Sequence, residues 1–217
     1  ASLSARALGR GNAFTADADD PSAVSHNPAG ISQLDGIQVS GGFAGLNLIT
    51  DYKAASGGVD TRSASKLKFA PNSYATAKIP YLPFHFGFGM NAPFGMADQY
   101  SSTHPFRYIG YKNELIVAGY SFVGSWQVTP KLSVGAGATY YDASLKQQFK
   151  INSSRITKSI IPFWPDVPDA DCRLHMEGDG WGWNLGALYK PFKKHTLGFM
   201  FRSKARLDLK GHLDTED

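Results

Sequence analysis

Three cations on one predicted strand are well placed to bind an anion. Arg202, Lys204 and Arg206 alternate with small or apolar residues, and because successive side chains of a strand point to opposite faces, the three share a face. Guanidinium and ammonium groups bind a carboxylate through charge-assisted hydrogen bonds. Lys146 and Lys150, at the end of another predicted strand, are weaker candidates for the same role. The alternative is that these cations pair with carboxylates near the N-terminus, namely Asp17, Asp19 and Asp20.

The other reactive residue types form no pattern typical of an enzyme. The Cys and His residues lack the spacing of metal ligands, and we find no catalytic triad or carboxylate pair. The glycine-rich segments lack the Gly-x-x-x-x-Gly-Lys loop that binds nucleotides. The single Cys172 excludes an intrachain disulfide and is predicted to be a free thiol in a polar loop. The net charge of +4 is not gathered into a stripe, so the sequence predicts no nucleic-acid partner. The missing motifs predict that the chain is not an enzyme and needs no cofactor.

The cations belong to a chain that alternates apolar and polar residues at many places. Phe84, Phe86 and Phe88, for example, alternate with polar or small residues, which is typical of a strand with one apolar face. Seven strands are predicted on this basis. They cover Ile37–Ile49, Asn72–Ile79, 84–91 with a break at Ala92–Gly95, Asn113–Val128, Leu132–Tyr140, Trp181–Tyr189 and Leu197–Lys210.

The N-terminal residues 1–35 do not alternate and are predicted to form a compact, irregular segment. A short helix could start there, with Asp20 as N-cap and Pro21 in the first helical position. Asn27-Pro28-Ala29-Gly30 is predicted to be a turn. After this segment, very short connections near Tyr81, Pro130 and Phe192 alternate with long loops at 51–68, 97–110 and 150–173.

Short turns at one end and long loops at the other are typical of an antiparallel transmembrane β-barrel. The sequence contains no run of eighteen apolar residues, so it predicts no membrane-spanning helix. The alternative is a soluble β-sandwich, which also alternates. The predicted strands are long for a soluble sheet, and their second face, rich in Gly, Ser, Thr and charge, would make a poor dry core. An all-β, antiparallel transmembrane barrel is therefore the predicted fold.

Four segments of the chain resemble the FadL-like transporters of long-chain fatty acids and hydrocarbons. They are Leu8–Ala29 with its Asn-Pro-Ala sequence, Asn91–Ala97, Gly178–Gly186, and Phe201–Ser203 together with Asp208–Gly211. The resemblance implies a barrel of about fourteen strands, of which this chain would supply the first seven as an N-terminal half. It also implies that residues 1–35 form a plug, or hatch, in the lumen and that residues 36–217 form barrel strands.

The resemblance further implies roles for three groups of residues. Asn27, Pro28 and Ala29 would belong to a plug whose movement gates the lumen, or only to a point around which the plug folds. The segment Ala92, Pro93, Phe94 and Gly95 would form a kink at which the barrel wall opens sideways, or only an ordinary strand end. The apolar loop residues Ile160, Ile161, Phe163 and Trp164 would capture substrate, or only pack within the loop or against a partner.

The function that the resemblance implies is passive uptake of hydrophobic compounds, such as long-chain fatty acids, across the outer membrane of a Gram-negative bacterium. The expected partners are the hydrophobic small molecule and outer-membrane lipid, and the barrel is expected to be a monomer. Transport of aromatic hydrocarbons by the same fold remains open. A function of a different class, a β-sheet surface module that binds without transporting, remains open as well.

Overall fold

A computed structural model describes residues 4–53, 60–64 and 66–216, and most of these residues lie in strands. The short helices are α1 (Ala5–Gly9), α2 (Ala23–His26) and α3 (Ser153–Ile160), with a 3-10 helix at Pro28–Gln33. The first strands are β1 (Ile37–Leu48), β2 (Asp51–Tyr52), β3 (Thr61–Arg62), β4 (Lys66–Lys78) and β5 (Phe84–Gln99). The others are β6 (Lys112–Thr129), β7 (Leu132–Ile151), β8 (Ala170–Phe192), β9 (His195–Arg202) and β10 (Lys210–Glu216).

The strands form one curled antiparallel sheet, as predicted. Its order in the described residues is β1-β4-β5-β6-β7-β8-β10, and β9 also pairs with β8. A separate hairpin joins β2 to β3 inside the first long connection, which was predicted to be a loop throughout; residues 54–59 and 65 of that prediction lie outside the described residues. Several strands extend past their predicted ends, and β8 reaches 23 residues. No helix in the described ranges is long and apolar enough to cross a membrane.

The two faces of the sheet differ as the alternation predicts. Phe84, Phe86 and Phe88 point to an outer face and are 40%, 54% and 38% exposed, whereas His85 between them is 2% exposed on the inner face. Phe199 and Phe201 of β9 are exposed on the outer face as well. A contiguous aromatic surface of this kind is unfavourable in water and suits hydrocarbon.

Aromatic rows mark two levels of this outer face. Tyr140 contacts both Tyr120 and Trp181, with ring centroids 6.4 and 5.2 Å apart, and Phe84 stacks on Trp126 at 6.0 Å nearer the short turns. Such rows are typical of the two water–lipid interfaces of a membrane barrel. Beyond Trp181, toward the long loops, the outward positions of β8 become charged; they are Asp179, Glu177, His175, Arg173 and Asp171.

The N-terminal segment covers the inner face. Val24, Ile31 and Leu34 form a buried cluster with Tyr74 of β4 and Val123 of β6. The predicted helix start is two residues too early, because α2 begins at Ala23 after Ser22. Asp20 does not cap that helix directly; its Oδ1 accepts hydrogen bonds from the backbone N and Oγ of Ser22. The predicted turn at Asn27–Gly30 is the start of the 3-10 helix.

The predicted seventh strand, Leu197–Lys210, is interrupted. It pairs with β8 up to Arg202, leaves the ladder over 203–209, and pairs with β8 again as β10. A Cβ on Gly180 would lie 2.9 Å from Leu207, which shows how closely the departing segment approaches the inner face of β8. Leu207 and Leu209 pack against a buried cluster of Val117, Tyr141 and Ala143. The partial burial of these leucines explains why this alternating segment does not continue as a paired strand.

Cys172 is also placed differently from the prediction. It is a free cysteine, as expected, but it lies within β8 and is fully buried rather than in a polar loop. Cys172 lies in the first part of β8, where the many charged residues are typical of a loop. The inner-facing side of that start is small or apolar, which the surrounding charges conceal in the sequence.

A charge placed in the middle of the outer apolar band should destabilise the protein. Leu185 lies midway between Trp181 and Tyr189 on β8 and is 45% exposed. We expect Leu185→Arg to lower the free energy of unfolding in lipid by about 2–4 kcal/mol, because a guanidinium is poorly solvated there. The measurement is a urea titration in liposomes followed by tryptophan fluorescence. His212→Arg, in the charged zone of β10, serves as the control and should change little; equal losses would contradict the membrane placement.

Candidate functional site

Glycines of the inner wall leave space for the N-terminal segment where it docks. A Cβ on Gly135 of β7 would lie 2.5 Å from the carbonyl carbon of Pro28 and 2.6 Å from the nitrogen of Ala29. A Cβ on Gly186 of β8 would overlap Asn27 and lie 2.8 Å from Cδ of Pro28. Distances this short leave no room for any side chain. The absence of Cβ atoms at these two positions therefore allows the predicted plug residues to lie against the wall backbone.

Asn27 fixes this contact through its amide group. It is fully buried, its Nδ2 donates to the carbonyl oxygens of Thr15 (2.8 Å) and Ala187 (3.2 Å), and its Oδ1 accepts from the backbone N of Ala29 (3.1 Å). The bond to Ala29 caps the 3-10 helix, for which Pro28 supplies the preset backbone angle. The bond to Ala187 ties the segment to β8. Asn27, Pro28 and Ala29 thus act structurally as one docked unit.

Ser25 connects the same segment to two distant strands. Nδ2 of Asn91 on β5 donates to Oγ of Ser25 at 2.8 Å, and Nη2 of Arg202 at the end of β9 donates to the Ser25 carbonyl oxygen at 2.6 Å. Arg202 therefore does lie on the inner face. The N-terminal carboxylates do not pair with it: Asp17 pairs with Arg10, and Asp19 pairs with Arg6 at 2.9 Å. Lys204 and Arg206 lie exposed in the interrupted segment 203–209.

His26 is the titratable group at the centre of the docked segment. Burial lowers the pKa of its imidazole, the nearby Asp20 carboxylate partly raises that pKa, and Arg202 lowers it further. Its ring meets Phe14 edge-on, with centroids 5.3 Å apart. The docked segment therefore favours neutral His26.

A window opens in the wall between β4 and β5. The two strands pair from Lys78–His85 up to Asn72–Asn91, after which, in the described residues, β4 continues along β1 and β5 along β6. The far end is closed by a hydrogen bond from the backbone N of Ala64 to the carbonyl oxygen of Gln99 at 2.7 Å. We call this opening, between residues 66–71 of β4 and 92–98 of β5, the lateral window.

A β-bulge lies at the edge of the lateral window. Asn91 pairs with Gly119 and Phe94 with Val117, so three steps along β5 match two along β6. The extra residue reverses the faces, so that Phe94 and Met96 share the side of Val117, the inner side. The predicted kink thus coincides with an irregularity at Ala92–Gly95, but the strand continues through it to Gln99 instead of ending there.

A cavity of about 310 Å³ occupies the lateral window. The lining of the cavity combines residues from both faces of the wall, and the bulge in β5 adds Phe94 to the inner set. Leu46 and Phe94 come from the inner side, and Phe69, Ile116 and Tyr120 come from the outer side. The cavity is mostly apolar and is lined by residues of both faces of the wall, a form that suits a hydrophobic ligand.

The long loop between β7 and β8 holds the predicted capture residues. It contains α3, and the apolar side chains at and after the end of that helix are exposed: Ile160 by 75%, Ile161 by 47%, Phe163 by 98% and Trp164 by 50%. Ion pairs from Lys158 to Asp166 (2.5 Å) and from Arg107 to Asp169 (3.0 Å) hold the loop in place. The structure does not bring these residues to the lateral window; they form a separate surface on the long-loop side.

The remaining predicted cations lie on the outer face. Lys150 pairs with Asp171 at 3.3 Å, and Lys146 lies opposite Glu114 in the ladder between β6 and β7. Lys68 and Glu114, which line the cavity, escaped the sequence analysis because Lys68 was assigned to a loop. Ser25 and Asn91 were also missed as a pair, since 66 residues separate them. No local pattern reports a contact of that separation.

Adding one methyl group at the docking surface should displace the N-terminal segment. We expect Gly186→Ala to weaken its docking by about 1–3 kcal/mol, because Pro28 and the bonded amide of Asn27 cannot yield. The measurement is trypsin cleavage after Arg6 and Arg10 in the intact protein, which should become faster. In the control Gly124→Ala, the new Cβ would lie 3.7 Å from Phe86, and cleavage should stay slow. Unchanged cleavage of Gly186→Ala would contradict the docking described.

Acid should also weaken the docking. The undocked His26 gains a proton as the pH falls below about 6.5, its ordinary pKa, whereas the docked imidazole resists protonation. Docking is therefore strongest above that pH and weakens as the pH falls below it. Hydrogen exchange of residues 23–33, corrected for intrinsic rates, should show falling protection. His26→Gln should remove the pH dependence, and His195→Gln, at the exposed start of β9, should keep it. A pH dependence that persists in His26→Gln would overturn the assignment.

The whole chain, residues 1–217, matches the family model described as "Outer membrane protein transport protein (OMPP1/FadL/TodX)". A long-chain fatty acid transport protein of Escherichia coli O6:H1 is 26% identical over 94% of the chain and 49% of its own length. Outer membrane protein P1 of Haemophilus influenzae is 28% identical over 96% of the chain and 53% of its own length. The chain thus spans about half the length of the curated relatives it matches.

Solved structures agree on the fold. A FadL homologue of Pseudomonas aeruginosa superposes with a TM-score of 0.76 at 21% identity, over 93% of this chain and 51% of that one. The toluene transporter TbuX of Ralstonia pickettii gives 0.69 at 21% identity, over 90% and 55%. The family consists of transport proteins, which confirms that the chain is not an enzyme, and its relatives are named outer membrane proteins, which confirms the location. The chain belongs to the OMPP1/FadL/TodX family of outer-membrane transport proteins.

Proposed function

We propose that this chain is part of an outer-membrane channel for passive uptake of hydrophobic compounds, with long-chain fatty acids as the first candidate substrate. The observation that carries the proposal is the apolar cavity in the lateral window, which is lined by residues from the inner and outer faces of the wall. A fatty-acid tail partitions poorly into a water-filled pore and well into such a cavity. The name of the Escherichia coli relative supports the choice of substrate.

The proposed path begins at the long loops. Ile160, Ile161, Phe163 and Trp164 expose an apolar surface there that could collect the substrate from solution. The substrate then enters the lumen, where residues 1–35 serve as the plug and residues 36–217 as wall strands. Movement of Asn27, Pro28 and Ala29 away from the wall glycines would open the lumen, and the Ser25–Asn91 hydrogen bond connects that movement to the edge of the lateral window.

The exit is proposed to be sideways, through the lateral window at Ala92, Pro93, Phe94 and Gly95, into outer-membrane lipid. Proline supplies no ladder donor and glycine tolerates a bulge, so this segment favours a gap over a regular pair of strands. Arg202, Lys204, Arg206 and Lys146 are proposed to attract the carboxylate along the way. The passage needs no cofactor, and we expect the complete barrel to work as a monomer.

Aromatic hydrocarbons are the second candidate substrates. The specific support is the structural similarity to the Ralstonia pickettii toluene transporter, together with a cavity lining that includes Phe69, Phe94 and Tyr120. A surface module that binds without transporting is disfavoured, because its exposed aromatic outer face would lie in water.

Straightening the bulge should slow uptake. We expect Pro93→Thr combined with Gly95→Val to reduce oleate uptake several-fold, because the restored N–H and the β-branched side chain favour a regular strand that narrows the lateral window. The measurement is uptake of labelled oleate by cells carrying the intact protein at matched expression.

The control for this variant is Gly41→Val on β1. A Cβ on Gly41 would lie 3.7 Å from its nearest neighbouring atom, the same distance as for a Cβ on Gly95, but Gly41 lies outside the lateral window. Uptake should remain normal in this variant. Normal uptake in the Pro93/Gly95 variant would show that the substrate leaves by another route.

A further inference from the structure

One ion pair crosses the lateral window inside its apolar cavity. Nζ of Lys68 on β4 lies 2.6 Å from Oε1 of Glu114 on β6, and their side chains are 47% and 26% exposed. The two strands are not neighbours, because β5 runs between them. Glu114 pairs with Ala97 of β5, whose small side chain lets Lys68 reach across.

The surroundings of this pair carry an excess of positive charge. Lys146 lies opposite Glu114 in the ladder, and Lys112 precedes Glu114 by two residues on the same face. Both act electrostatically on Glu114. Asp98, beside Ala97, adds one further carboxylate on the opposite face of β5. Among the described side chains, three ammonium groups therefore surround the single carboxylate of Glu114, while Asp98 points to the other face, an arrangement that leaves room for one more anion.

The cavity also has a polar end and an apolar end. Lys68 and Glu114 lie toward the long loops, where the outer face is charged, whereas Met90 and Tyr120 line the other end, at the level of the aromatic row. A ligand with an anionic head and a long apolar tail would match both ends when its tail points toward the hydrocarbon layer. An unsubstituted aromatic hydrocarbon would use the apolar end alone.

We propose that Lys68 is a carboxylate-binding residue of the lateral window, an inference that rests on the proposed uptake function and narrows its substrate class to long-chain carboxylic acids. The ligand carboxylate takes the place of Glu114 at Nζ of Lys68, and Lys112 and Lys146 balance the displaced Glu114. A partly exposed ion pair is weak, so that the exchange costs little. The broken pair then leaves the window clear for the tail.

Binding measurements on the intact protein, purified in detergent, test the exchange. The probes are oleate, its uncharged methyl ester and toluene, and the variants are Lys68→Gln and Glu114→Gln. We expect Lys68→Gln to weaken oleate binding about tenfold, through loss of a charge-assisted hydrogen bond, and to leave the ester and toluene unchanged. Glu114→Gln should strengthen oleate binding several-fold, because the competing carboxylate is gone.

Lys78→Gln is the matched control. Lys78 forms a similar ion pair with Asp35, 2.8 Å long, at the other end of the wall, and its loss should change none of the three affinities. Heat-modifiable gel mobility checks that each variant is folded. If Lys68→Gln does not fold, the oleate affinity of Glu114→Gln tests the proposal by itself. Equal losses for oleate and ester, or oleate binding unchanged in both variants, would overturn the role of Lys68. A wild-type protein that binds none of the probes would instead refute the proposed function.

Discussion

The backbone hydrogen-bond ladder is the constraint on which the rest of this structure depends. In hydrocarbon, no water is available to form a hydrogen bond with an unpaired N–H or C=O group, so the wall strands must pair along their length. The ladder between β6, β7 and β8 meets this demand with almost no interruption. Departures occur at the lateral window and at residues 203–209, and both lie at or beyond the aromatic row toward the long loops. There, charged outer side chains indicate a more polar surrounding.

The same ladder explains why glycine dominates the inner wall. A paired strand cannot move aside to accommodate another chain, so the space for the N-terminal segment comes from missing side chains at Gly135 and Gly186. The segment lies against backbone and is held by the buried cluster with Tyr74 and Val123 and by the directed bonds of Asn27 and Ser25. Docking of this kind is sensitive to single atoms.

Much of the fold could be predicted because it depends on local alternation. The outward direction of Phe84, Phe86 and Phe88, the long strands and the short turns all follow from a two-residue period. The interruption of the seventh predicted strand could not be predicted, because 203–209 has the alternation of a strand. This segment leaves the ladder to pack Leu207 and Leu209 against residues that are far away in sequence. Cys172 was misplaced because charged neighbours on one face concealed a buried position on the other.

The candidate site divides in the same way. Ala92–Gly95 could be recognised from proline and glycine, whose effect on a strand is local. The Lys68–Glu114 ion pair and the Ser25–Asn91 hydrogen bond could not be recognised from the sequence. Each joins strands or segments whose relative positions are fixed only in the folded sheet. The structure therefore adds to the sequence chiefly the long-range polar contacts that cross the wall and join the wall to its N-terminal segment.

The bulge in β5 has a geometric consequence for any oily solute. Before it, Phe88 and Met90 belong to the side of the wall that meets lipid; after it, Phe94 and Met96 belong to the side that meets the barrel interior. Phenylalanine and methionine thus follow the strand from one side to the other. In the proposed lateral exit, a solute that moves along this strip would find apolar side chains on both sides of the wall, which would lower the free-energy barrier of leaving the interior.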